Sequence, residues 1–309
     1  MRHSAELVAG VDVGGTKMVA GLATRDGRII AAHRAPTPGS DVGSAIIGLL
    51  RRVLSQVGVS ASEVASVGVA VPAVTDRKRG TVRWAPNIGG WGAETPLADP
   101  IADALGIGAS LHYDGHAWVA GEWWLGAARG ARDVALVAVG TGIGGGLILD
   151  GRLHRGRVGV AGAIGWWVFD CSRVGHSRRE GEGLLESVAS GPAIARAAGT
   201  QDAKEAFEAA RQGDGAARRA VDNAATALGA AVASLVSLVD PEVVVLAGGV
   251  ITGGGDLFLP RVQEIVRHEA QPQMASGVRV VLAELGEDAP WLGGAKLALS
   301  DLEGEKGDG

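Results

Sequence analysis

The chain has 309 residues, more than one core usually absorbs, so two lobes are expected. Hydrophobic residues make up 47% and charged residues 20%, which excludes a disordered chain, and 29 Lys and Arg against 34 Asp and Glu give a formal charge of −5 with no basic face for nucleic acid. The single cysteine, Cys171, excludes an internal disulfide and a multi-thiolate zinc site and fits a cytoplasmic compartment; no segment reads as a signal peptide, and the longest apolar stretch is broken at Asp240, Pro241 and Glu242, so no membrane span is expected.

Glycine is the outlier at 50 residues, about twice its usual share. The glycines cluster beside strand-like apolar runs and so read as backbone turns. Residues 7–13 form a strand ending in Gly14-Gly15-Thr16-Lys17; residues 18–24 resume as a strand, and Arg25 to Arg28 turn a hairpin. Helical spacing predicts a helix over 45–57, then a strand at 66–71, a short helix at 100–105, a strand at 110–113 and a helix at 115–126. The opening pattern then returns as strand 134–139, the glycine run from Gly140 to Gly146, strand 147–149 and the turn Asp150-Gly151-Arg152. Ten residues separate Thr16 from Asp26 and nine separate Thr141 from Asp150, a spacing that reads as a duplicated domain. An irregular stretch to 183 leads into helix 184–198, an Ala-rich helix over 203–238 broken near 213–215, strand 243–246, helix 257–268, strand 278–282 and a terminal helix at 293–302. The tail 303–309 is expected to be disordered. Strands alternating with helices give an α/β fold, with lobes expected at 1–117 and 118–309 and the terminal helix packing back on the first.

Consecutive backbone N–H groups without side chains make an anion cradle. At Gly14, Gly15, Thr16 and Lys17 a hydroxyl and an ammonium join the backbone, and Asp12 just ahead offers a carboxylate to a hydrated Mg²⁺. Gly140, Thr141, Gly142 and Gly144 form a second cradle, which faces the first across one cleft if the lobes are duplicates. Gly248 and Gly249 make a third turn suited to an adenosine or phosphate edge. Tight hairpins use the same residues for conformational reasons alone; three such turns together favour a nucleotide. Phosphoryl transfer also needs a carboxylate at a strand end, and Asp114 stands between strand 110–113 and the helix that follows, where it would equally serve as a helix cap.

The segments Asp-Val-Gly-Gly-Thr-Lys at 12–17, Ala-Pro-Asn-Ile-Gly-Gly-Trp at 85–91, Gly-Glu-Trp-Trp-Leu-Gly at 121–126 and Gly-Thr-Gly-Ile-Gly-Gly-Gly-Leu at 140–147 together resemble the ROK family of sugar kinases and repressors. Leu185-Glu186 with Ala189-Ser190-Gly191-Pro192, the turn at 246–250 and Gly293-Gly294-Ala295 extend the resemblance over nearly the whole chain. It implies a two-domain actin-like, hexokinase-like (ribonuclease H-like) ATPase fold, ATP and Mg²⁺ in the cleft, and transfer of the γ-phosphoryl group to a sugar hydroxyl. Asp114, at the aspartate of the family's Asn-Asp-Ala-Asn motif, is then the catalytic base. The family's repressors carry an added N-terminal DNA-binding domain; here the first phosphate motif begins within a dozen residues of Met1, so none is expected.

The acceptor side departs from the family. Its Ala-Gly-Glu-Ile-Gly-His motif, whose Glu and His contact sugar hydroxyls, stands here as Ala161-Gly162-Ala163-Ile164-Gly165-Trp166. Many members bind zinc through that His and a Cys-x-Cys-Gly-x-x-Gly-Cys run; only Cys171 with nearby His176 remains, so no zinc site is expected. Tyr113 and His116 replace the two asparagines of the aspartate motif, whereas Asn87 and Glu186 match positions that stay polar. Substrate contacts are expected from Asn87, Tyr113, Asp114, Ala163, Trp166 and Glu186. The sequence thus reads as an ATP-dependent kinase, in a homodimer, acting on a hydroxyl, by expectation primary, of a sugar, modified sugar or cyclitol. A catalytically silent ROK-fold ligand-binding or sensor protein and an ordinary glucokinase are the alternatives.

Overall fold

Runs of Val, Leu and Ala interrupted by glycine turns let each half of the chain pair with itself before any distant strand is needed. The structure, a computed structural model, describes residues 6–85, 88, 91–92, 94–175 and 181–304. In the first half β1 (Leu7–Val13), β2 (Lys17–Thr24) and β3 (Ile29–Pro36) form an antiparallel meander, followed by α1 (Val42–Val57) and β4 (Val64–Val71). A small sheet of β5 (Val74–Asp76), β6 (Thr81–Trp84) and β7 (Thr95–Pro96) leads to α2 (Ala98–Leu105), β8 (Ala109–Tyr113) and α3 (Asp114–Leu125). The second half opens with β9 (Val134–Val139), β10 (Ile143–Leu149) and β11 (Arg152–Leu153) and continues through α4 (Glu186–Ala189), α5 (Gly191–Ala198), α6 (Ala203–Arg211) and α7 (Gly215–Val239). It closes with β12 (Val243–Ala247), α8 (Gly249–Glu269), α9 (Pro272–Gly277), β13 (Arg279–Leu282) and α10 (Ala289–Gly304).

The two main sheets share one topology. The first runs β3-β2-β1-β4-β8 and the second β11-β10-β9-β12-β13. In each, an antiparallel meander is followed by two parallel strands, with β4 parallel to β1 and β8, and β12 parallel to β9 and β13. That shared order is the physical form of the internal repeat.

The chain divides into two compact units: Met1–Gly126 with Arg155–Ala161 and Glu287–Gly309, and Ala127–His154 with Gly162–Gly286. The division therefore lies after residue 126 and not after 117. The reason is that α3 packs along its length on α10 inside the first unit; a Cβ at Gly121 would stand 2.1 Å from the Ala289 carbonyl oxygen, a contact only glycine permits. Likewise α10 lies backbone to backbone on β1 and β4, where a Cβ at Gly10 would meet the Trp291 carbonyl oxygen at 1.8 Å. The stretch Arg155–Ala161 is held in this unit by Arg155 on Asp301 (3.4 Å) and by the Ala161 carbonyl on His116 Nε2 (3.1 Å). The core of the second unit gathers β9, β12 and α8 around α7. By length and composition α7 could cross a membrane, but most of its apolar residues are buried against α5, α6 and α8.

Several elements depart from the sequence reading. Helix 184–198 is split at Ser190, whose extended backbone and side chain cap α5 by accepting from Ala193 N–H (3.3 Å). The helix expected at 257–268 begins eight residues earlier, at Gly249, because Gly253 to Gly255 are packing sites and not a turn: a Cβ at Gly254 would stand 3.0 Å from the Phe207 ring. The small sheet β5 to β7 went unread. Of the expected tail, residues 305–309 lie outside the described residues.

Trp291, fully buried on α10 with its Nε1 donating to Asp288 Oδ1 at 2.8 Å, locks this helix to the first sheet. Trp291→Ala should cost about 3–5 kcal/mol, read as a lower denaturant midpoint for the first unit; a midpoint unchanged from the wild type would contradict this packing.

Candidate functional site

In the first unit the site residues stand where parallel strands end, the usual place for a ligand crevice in an α/β sheet. Asp12 is the penultimate residue of β1, in register with Val19 on β2 and Ala70 on β4. His112 on β8 also pairs with Ala70, and Asp114 follows two residues later as the first residue of α3. Gly14 to Thr16 turn between β1 and β2, closed by Gly14 N–H on the Lys17 carbonyl (2.9 Å). Thr37 fixes this turn from outside: its hydroxyl donates to the Gly14 carbonyl (2.6 Å) and its N–H to the Thr16 carbonyl (3.0 Å). Gly15, Thr16 and Lys17 are exposed.

Asp12 and Asp114 are half-buried, and both are hard to ionise. Burial, then the charge of Asp114, pushes the Asp12 carboxyl up to about 8 against the opposing pull of Lys17. Burial pushes Asp114 up to about 7, although its carboxylate accepts from Gly115 N–H at 2.7 Å. That bond runs only to the next residue: the N-cap of α3 is Tyr113, which makes no side-chain capping bond, so Asp114 does not serve as the helix cap expected from its place in the sequence. A pair of carboxylates raised in this way is a fit site for a cation, whose charge would relieve both, so Asp12 suits a hydrated Mg²⁺ carried with a nucleotide. Tyr113 is half-buried and meets His116 edge-on at 5.2 Å.

In the second unit the turn from Gly140 to Gly142 joins β9 to β10, with Gly140 N–H on the Gly142 carbonyl (2.8 Å) and Gly191 N–H on the Gly140 carbonyl (2.8 Å); Gly144, expected in this turn, already lies in β10 in register with Ala138 on β9. Thr141 is exposed at its tip. Glu186 supports the turn from behind, its Oε1 accepting from Ile143 N–H (3.1 Å) and its Oε2 from Gly183 N–H (3.3 Å). A Cβ at Gly142 would come within 2.3 Å of Glu186 Oε1, so this glycine admits the brace. Sequence reasoning assigned Glu186 to the acceptor alone and missed this role; only the fold brings it behind the turn. Burial raises its carboxyl above the ordinary range.

Ala163 is half-buried and precedes the single 3₁₀ turn Ile164–Trp166, and Trp166 is exposed at 48%. Gly248, with φ of 90°, lets β12 turn directly into α8, and Gly249 is the first residue of that helix. Beside this turn a cleft of about 410 Å³ is lined by Leu246, Ala247, Ile251, Thr252, Asp256 and Leu282 among others. Asn87 and His176 lie outside the described residues. Cys171 is exposed, and among the described residues no group of three or more His, Cys, Asp and Glu side chains is placed to hold a metal ion.

The raised carboxyls make stability depend on pH. Unfolded, Asp114 ionises near the ordinary value; folded, it holds its proton to about 7, so its stabilising contribution is complete below the unfolded value and is lost as pH rises through the folded one. In protein free of nucleotide and divalent cation, Asp114→Asn should therefore raise Tm over the wild type at about pH 8.5, and the gain should shrink toward about pH 5. A difference independent of pH would show that Asp114 titrates as an ordinary carboxylate.

Residues 8–301 match the ROK family. A glucokinase of Thermotoga maritima is 34% identical over 315 aligned positions, covering 96% of this chain and 98% of that protein. Among solved structures, a ROK hexokinase from Thermus thermophilus superposes with a TM-score of 0.83 at 33% identity, over 96% of this chain and 99% of that one. A ROK family glucokinase from Streptomyces griseus, solved with glucose and AMPPNP, gives 0.79 at 32% identity, over 95% and 99%. The fold is thus the two-domain, actin-like and hexokinase-like ATPase fold, and by sequence and by structure the chain belongs to the ROK family.

Proposed function

We propose that this protein is a cytoplasmic ATP-dependent kinase that phosphorylates a hydroxyl of a modified, deoxy or amino sugar or of a cyclitol. The observation that carries the reading is the Asp12 and Asp114 pair, raised toward neutrality beside the exposed turn from Gly14 to Lys17. A base for a sugar hydroxyl works best with a pKa near the operating pH, and Asp114 at about 7 meets that demand.

Asp114 accepts the proton of the acceptor hydroxyl as its oxygen bonds to the γ-phosphorus; the bond from that phosphorus to the bridging oxygen breaks, and ADP leaves. In the first unit the Gly14 N–H is spent closing the turn on the Lys17 carbonyl, so the N–H of Gly15, the Thr16 hydroxyl and the Lys17 ammonium hold phosphate oxygens. In the second, the Gly140 to Gly142 turn with the Thr141 hydroxyl does the same, and Glu186 keeps that turn in shape. The cleft beside Gly248 and Gly249 suits the nucleoside. Mg²⁺, when bound with the nucleotide near Asp12, supplies positive charge against the phosphate oxygens.

Acceptor choice follows from Ala163 and Trp166. Neither side chain replaces the lost acid and imidazole as a hydroxyl partner, and two buried unpaired hydroxyls would cost about 2–6 kcal/mol together. The half-exposed Trp166 indole instead offers a flat face to an apolar ring surface. Asn87, Tyr113 and the remaining lone pairs of Glu186 complete the proposed contacts. A second reading, glucose itself, is favoured by the name of the Thermotoga relative.

Acceptor-dependent ADP release across hexoses, amino sugars, deoxy sugars and cyclitols separates the two readings. Glucose should fall below a kcat/KM of about 10⁴ M⁻¹s⁻¹ while one of the other classes exceeds it, and Ala163→Glu with Trp166→His should raise activity on glucose. Wild-type activity on glucose at or above that value would make the protein an ordinary glucokinase.

A further inference from the structure

Lys17 is already engaged. Its ammonium donates to Glu287 Oε1, and Arg34 Nε lies 3.2 Å from the other carboxylate oxygen. The three side chains come from separate elements: Lys17 from the start of β2, Arg34 from β3, and Glu287 from the 3₁₀ turn Gly286–Asp288 ahead of α10. That turn is fixed, because the next residue, Asp288, accepts from the buried Trp291 indole at 2.8 Å. Glu287 is thus held on a rigid support facing the phosphate turn. All three side chains are about half exposed, at 50%, 59% and 48% for Lys17, Arg34 and Glu287, and ion pairs so exposed are weak enough to be exchanged.

We propose that Glu287 is a positioning residue that sets the affinity for nucleotide phosphate by partner exchange: it holds Lys17 in the free protein, releases it to a phosphate oxygen, and stays paired with Arg34. This rests on the reading of Gly14 to Lys17 as a phosphate contact. The electrostatics give each member a distinct sign. Glu287 opposes binding, because it occupies the ammonium that the phosphate needs and repels the incoming anion. Arg34 favours binding, because it keeps Glu287 paired after Lys17 has left. Without Arg34, Glu287 either holds Lys17 more firmly or is left alone beside a polyanion.

The test is equilibrium titration of ATP with Mg²⁺, without acceptor, into the wild type, Glu287→Gln, Arg34→Gln, Lys17→Met and the Lys17→Met, Glu287→Gln double variant. Glu287→Gln should lower Kd about two- to fivefold, the range an exposed ion pair supports. Arg34→Gln should raise it by a similar factor, and the Glu287→Gln effect should shrink in the Lys17→Met background. In steady state, KM for ATP should move while KM for the acceptor holds, a split that general loosening of the fold would not produce. If Lys17→Met weakens ATP but Glu287→Gln binds no tighter than the wild type, the exchange is wrong and the phosphate reading stands. If Lys17→Met leaves ATP affinity unchanged, the phosphate reading fails and the exchange with it.

Discussion

Burial makes both Asp12 and Asp114 costly to ionise at the carboxyl ends of parallel strands, and the charge of Asp114 adds to the cost at Asp12. Left alone, such an arrangement works against the fold at alkaline pH. It persists because the backbone around it has little freedom to relax. β1, β4 and β8 fix the two carboxylates through register, and α10 presses on β1 and β4 at glycines that leave no room for a side chain. A proton or a nearby cation would relieve the strain of ionisation at this corner of the first unit.

The glycine content follows from the same demand for close approach. Some glycines turn the chain, as Gly248 does ahead of α8, but many let one backbone lie directly on another or admit a side chain from behind, as Gly142 admits Glu186. The result is a set of turns whose shape is fixed by their own hydrogen bonds: Gly14 N–H on the Lys17 carbonyl and Gly140 N–H on the Gly142 carbonyl close them, while Thr37 at Gly14 and Thr16 and Gly191 at Gly140 tie their carbonyls.

Much of this was legible in the sequence. The repeated strand, glycine turn and strand predicts the two sheets of equal topology, and Asp12, Lys17 and Asp114 stand out because local pattern places them at strand ends. What depended on distant packing was not. Nothing near Gly253 to Gly255 says that they lie within a helix, since the reason is the Phe207 ring and Leu282. Glu186 reads as an acceptor contact until the fold brings it behind the turn at Gly142, 44 residues earlier in the chain. Glu287 meets Lys17 across 270 residues, a pairing no local signal carries. The boundary after residue 126 was hidden for the same reason, since α3 is assigned by the C-terminal helix on which it packs.

The central claim is that Asp114 is a base tuned to neutrality by burial, and the pH dependence of kcat/KM with a non-ionising acceptor tests it most directly. The wild type should lose activity on the acid side with an apparent pKa of about 7, and Asp114→Asn should fall by about 10²- to 10⁴-fold and lose that limb. A limb near the ordinary carboxylate value of about 4, or an Asp114→Asn variant that turns over at the wild-type rate, would contradict the account.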